Sequence, residues 1–81
     1  EGKIAEILNN GKAVYLGFQK PHMGALVVRI LRKDWDSFGG LPDKLYQVGQ
    51  VIQITGKIEW YQGDPVIYVH HPSQIRITPG Q

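Results

Sequence analysis

An 81-residue chain with 42% apolar and 20% charged residues has the composition of a folded domain. It lies near the lower size at which a single core holds a chain together. The absence of cysteine excludes a disulfide framework and a thiolate metal site. The net charge of +2 is too small by itself to announce a nucleic-acid partner, and no apolar run reaches the roughly 18 residues of a membrane-spanning helix.

The periodicity is that of strands. KIAEIL (Lys3 to Leu8) alternates and runs into Asn9-Asn10-Gly11, a turn signal because Asn and Gly accept positive φ. AVYLGF (Ala13 to Phe18) puts Val14, Leu16 and Phe18 on one face and Tyr15 and Gly17 on the other. Residues 19–24 read as a loop. ALVVRIL (Ala25 to Leu31) predicts a third strand, with Leu26, Val28 and Ile30 inward and Val27 and Arg29 outward.

Between Lys33 and Gln50 the alternation stops. Asp34 is expected to cap a short helical turn reaching Ser37 or Phe38, and Pro42 to open a second around Asp43 to Tyr46. Trp35, Phe38, Leu41, Leu45 and Tyr46 supply apolar surface for closing one end of a barrel. VIQITGKIEWY (Val51 to Tyr61) predicts a long fourth strand with Ile52, Ile54 and Ile58 inward. Gly56 shares that inward face, as suits a bend or bulge. VIYVH (Val66 to His70) predicts the last strand, with Ile67 and Val69 inward, and Ile75 and Ile77 extend the apolar coverage.

This order predicts an all-β fold: a five-stranded Greek-key barrel with a short helical connector between strands three and four. Closure removes the edges that a small flat sheet would expose. One domain over residues 1–81 is expected, standing alone or as a piece of a longer protein. Several segments carry a resemblance besides: Gly49, Thr55-Gly56-Lys57, Gly63-Asp64-Pro65-Val66-Ile67 and Pro72-Ser73-Gln74-Ile75, together with AVYLGF. In these the chain resembles OB-fold nucleic-acid-binding domains of the anticodon-binding type. The distinctive spacing lies in the C-terminal half, and it bears on the fold more than on the ligand.

OB barrels bind nucleic acid across strands two and three and the loops beside them. Tyr15 and Arg29 are outward on those strands, Lys12 adjoins the first loop, and Lys20 and His22 lie in the loop after strand two. Lys57, Tyr61 and Gln62 belong to strand four and its hairpin. Cations meet phosphates and aromatic rings stack on unpaired bases, so this set predicts single-stranded DNA or RNA binding with low sequence specificity. Charge is uneven in the same sense. Residues 1–33 hold six Lys and Arg against two acids, and residues 34–81 hold three against five. Of the adjacent hairpin rings, inward parity assigns Trp60 to packing and Tyr61 to contact, unless a bulge reverses them.

Catalysis is not expected. Asp34 and Asp36 read as a cap and a surface charge. His70 and His71 are neighbours that point apart on a strand, and Ser37 and Ser73 lack a nucleophile elbow. No metal and no cofactor are expected, and no membrane partner. The alternative reading is a protein-interaction module that docks on an enzyme or assembly through the same groove or a strand edge.

Overall fold

The computed structural model describes residues 1–19 and 25–78. Most of the regular structure is β, in two sheets with few helices. In chain order the strands are β1 (Gly2–Lys3), β2 (Glu6–Asn9), β3 (Ala13–Gly17) and β4 (Val27–Leu31). They continue with β5 (Val51–Ile54), β6 (Ile58–Tyr61), β7 (Asp64–Tyr68) and β8 (Ile75–Ile77). A 3-10 helix over Arg32–Phe38 and the helix α1 (Pro42–Leu45) fill the connector, and a 3-10 turn spans Pro72–Gln74. One sheet has the order β2-β3-β4-β7-β6, the other β1-β5-β8. All pairs are antiparallel except β4 with β7.

Two stretches expected as single strands are each broken, for different reasons. At the first break, consecutive amides donate in different directions: Ile4 N to Gln50 O at 2.8 Å and Ala5 N to Gly17 O at 2.7 Å. The chain thereby passes from one sheet to the other without leaving its backbone groups unpaired. The second break falls at Thr55-Gly56-Lys57, as the position of Gly56 predicts. A Cβ at Gly56 would stand 2.6 Å from Ile67 Cγ2, so the chain passes the Ile67 side chain this closely only without a side chain of its own. Thr55 is held across the gap by Gln74, which accepts its N–H at 2.9 Å through the main chain and donates Nε2 to its carbonyl at 3.0 Å.

Most of the positions expected to face inward form the core or pack against it, with Ile58 and Trp60 as exceptions. One row runs across the five-stranded sheet as Ile7, Leu16, Val28, Ile67 and Ile58. Ile4, Val14, Leu16, Val28, Ile30, Ile52 and Val69 are almost wholly excluded from solvent, each such side chain stabilising the fold by about 1.5–3 kcal/mol. Phe38 and Tyr46 bring the connector into this core, with Trp35 packed against it, whereas Leu41 and Leu45 stay exposed. Trp35 Nε1 also donates to Ile30 O at 2.9 Å, fixing the connector to β4.

Other expectations need correcting. Asp34 does not cap its helix, which starts earlier, behind Leu31, with no side-chain cap. Its carboxylate instead lies 2.8 Å from His70 Nδ1. The last long strand is shifted to Asp64–Tyr68, since the two-residue turn Gln62-Gly63 lets pairing begin at Tyr61 and Asp64. Ile75–Ile77 is a strand in its own right, pairing with β5 from Ile52 opposite Ile77 to Ile54 opposite Ile75. Ile58 and Trp60, expected to pack inward, are 55% and 72% exposed. Their parity is as expected, but they sit on the sheet's edge strand, all four residues of which are exposed. Among the described residues, no helix is long and apolar enough to cross a membrane.

Candidate functional site

Opposite the core, the five-stranded sheet carries a second row. Leu8 lies beside Tyr15, Tyr15 beside Arg29, and Arg29 beside Tyr68, across β2, β3, β4 and β7. Strict alternation along each strand puts all four on one face, because the neighbours of each belong to the core row. Val27 and Val66, one step along, are buried beneath the same face.

Two turns rise at the ends of this face. The first is Asn9-Asn10-Gly11. Asn9 Oδ1 accepts from Gly11 N at 2.8 Å, and Asn10 Oδ1 accepts from Lys12 N and Ala13 N, both at 2.9 Å. These side-chain bonds to the following backbone rigidify the turn, and they orient each amide oxygen towards the main chain. The second is the hairpin between β6 and β7, whose central residues Gln62 (φ 52°) and Gly63 (φ 87°) are both left-handed. That pair of angles makes the tight turn compatible with strand twist; Gly63 adopts it freely, Gln62 at a cost.

Between the turns is an open cleft of about 490 Å³, within the size range of ligand sites. Tyr15 and Arg29 line it, with Asn9 and Asn10 from one turn, Tyr61, Gln62 and Asp64 from the other hairpin, and apolar Leu8, Val27 and Val66.

Arg29 is the centre of this arrangement. Its Nε donates to Tyr15 Oη and its Nη1 to Tyr68 Oη, each at 3.1 Å. Its guanidinium carbon lies 4.1 Å from the centre of the Tyr61 ring, against 5.5 Å for Tyr15 and 5.6 Å for Tyr68. The last two rings are thus met through their hydroxyls. Tyr61 is met across its face, since an in-plane approach at that distance would collide with the ring's rim. Burial of Arg29 works against its charge, but the hydrogen bonds to Tyr68 and Tyr15 together with the electrostatic interaction with the same two groups raise its pKa above the ordinary arginine value.

Of the residues the sequence singles out, the structure brings Tyr15, Arg29, Tyr61 and Gln62 into one cleft. Lys12 is exposed on the first turn and Lys57 at the break before β6, and neither is among the lining residues. Lys20 and His22 lie outside the described residues. Sequence reasoning missed Tyr68, although its outward parity between Ile67 and Val69 marks it. It also missed Asn9 and Asn10 as walls of a site. Among the described residues, no group of three or more His, Cys, Asp or Glu is placed to hold a metal ion. His71 is engaged in its own turn, accepting from Ser73 N at 3.4 Å. Compared with family models, curated proteins and solved structures, the chain matches none.

Proposed function

We propose that this chain is a binding module for single-stranded nucleic acid, DNA or RNA, with little sequence specificity. The observation that carries the reading is the cleft itself: a floor of β3 and β4 bearing the partly buried Arg29 guanidinium, the exposed Tyr61 of β6 over it, and two turns as walls. Unpaired bases offer flat π-faces, and each base stacked on such a ring contributes about 1–3 kcal/mol. Lys12 beside the first turn is available to a phosphate backbone leaving the cleft.

Strand pairing supports reading the two sheets as one closed Greek-key barrel of the OB type. On that reading β1 with β2 is one bent strand, and β5 with β6 another. The contacts of β1 with β5 then join the two ends of the five-stranded order, and the parallel β4–β7 pair fits the same circuit. A cleft on the second and third strands of such a barrel is where single-stranded ligands lie.

Fluorescence anisotropy of labelled single-stranded DNA and RNA oligonucleotides tests the function. Binding that weakens steeply with salt is expected. No anisotropy change at low salt and on the order of tens of micromolar protein sinks it.

A second reading, docking of a protein partner, is favoured by the exposed edge strand β6 with Ile58 and Trp60. An extended segment of that partner would add to the sheet through backbone hydrogen bonds. The two readings separate by mutation. Trp60→Ala weakens docking and spares oligonucleotide binding, and Tyr61→Ala does the reverse.

A further inference from the structure

We propose that Arg29 is a positioning residue of the cleft and not its phosphate clamp: the guanidinium backs the Tyr61 ring, so that the base-stacking platform is the Arg29–Tyr61 pair. The inference rests on the nucleic-acid reading above and assigns a role within that site.

Three observations carry it. Two of the guanidinium nitrogens already donate, to the hydroxyls of Tyr15 and Tyr68, at 3.1 Å each. One face of the Tyr61 ring is already covered by the guanidinium carbon at 4.1 Å. Asp64, next to the hairpin turn, brings a carboxylate to the same cleft, so among the described lining residues the Arg29 cation is accompanied by an acid. A phosphate clamp presents its fork of donors outward for a bidentate approach. Here Nε and Nη1 are spent on the two tyrosine hydroxyls, and the guanidinium carbon lies over the Tyr61 ring.

The same arrangement explains how Tyr61 is held. It stands on an exposed edge strand whose side chains have no core beneath them. Arg29 reaches it from β4, past the intervening strand β7, and fixes the ring from below. The ring's other face is then left for a base, and the phosphates lie outside the cleft. A planar guanidinium suits this role as a lysine ammonium does not, because only the former stacks while donating in its own plane.

The test compares Arg29→Lys and Arg29→Gln with the unaltered protein in oligonucleotide titrations across a salt series, after melting curves have established that each variant folds. Both substitutions are expected to weaken binding about tenfold while the slope of log affinity against log salt stays unchanged. A slope reduced by about 0.7 in Arg29→Gln, the share of one phosphate on a single strand, overturns the proposal. So does wild-type affinity in Arg29→Lys. If both variants unfold, Tyr68→Phe takes their place. It deletes one hydroxyl that holds Arg29 and leaves the residues lining the cleft intact. Weakening of about threefold at constant slope is then expected, and unchanged affinity overturns the proposal. Failure of the unaltered protein to bind any oligonucleotide is distinguishable from all of these, since it removes the nucleic-acid reading and this inference together.

Discussion

Arg29 lies over the ring of Tyr61 although their strands are not neighbours: β4 and β6 are separated by β7, and the guanidinium spans that strand to lie 4.1 Å from the ring centre. The outer strand β6 is thereby tied to β4 by a side chain, in addition to the backbone pairing that each makes with β7. A cation over an aromatic face contributes about 0.5–2 kcal/mol, more as water is excluded.

Replacing Tyr61 by Ala is expected to weaken single-strand binding by about five- to a hundredfold, the loss of one stacked base. Its partly exposed side chain keeps the effect on stability small. Trp60→Ala is the matched control, because that ring points to the other face of β6 and its removal is expected to leave oligonucleotide affinity unaltered. Anisotropy titrations of the two variants side by side check both statements.

Gly56→Ala is expected to destabilise the protein by about 1–3 kcal/mol. The added Cβ would meet Ile67 Cγ2 at 2.6 Å, and Ile67 is a buried β-branched residue with little rotamer freedom. Urea unfolding monitored by tryptophan fluorescence reads the shift in midpoint. Wild-type stability in this variant would refute the view that Gly56 is required by the close crossing.

Gln62→Asn is expected to stabilise the fold by about 0.5–1 kcal/mol. Gln62 holds a φ of 52°, a conformation that Asn tolerates better, and Asn-Gly is the favoured pair for this tight hairpin. Thermal melts at equal protein concentration measure the gain.

Burial raises the pKa of Tyr46 above its ordinary value of 10.0. The folded state therefore favours the neutral phenol, and the unfolded chain ionises first as pH climbs. Stability from this group is complete below the unfolded pKa of about 10 and is lost as pH rises towards the folded value. Tyr46→Phe is expected to flatten the alkaline decline in urea midpoint relative to the wild type as pH rises past about 10. Parallel curves would contradict the assignment.

What the sequence disclosed was what local alternation encodes. Val14 with Leu16, Val28 with Ile30, and Ile67 with Val69 were assigned to the core because a strand's side chains alternate, and the structure buries all of them. Tyr15 and Arg29 fell on the opposite face by the same logic. Alternation gives the side of a strand and not what lies over it, which is why Trp60 was placed inward and is in fact 72% exposed. Tyr68 was legible as outward but not as a partner of Arg29. Their pairing comes from the parallel register of β4 with β7, which nothing local to either segment encodes. The His70–Asp34 contact escaped for the same reason, its partners being 36 positions apart.

The parallel pairing of β4 with β7 also bears on how the chain acquires its site. Arg29 and Tyr68 are 39 residues apart, and ordering so long a loop before its contacts form slows folding relative to a hairpin-only protein. The segment from Ala13 to Leu31 can pair Tyr15 with Arg29 early, but at that stage the guanidinium has one hydroxyl and no ring against it. Tyr68 and Tyr61 reach it only when β7 docks and brings β6 along. The cleft is thus a property of the assembled sheet, and it exists only once β7 and β6 stand beside β4.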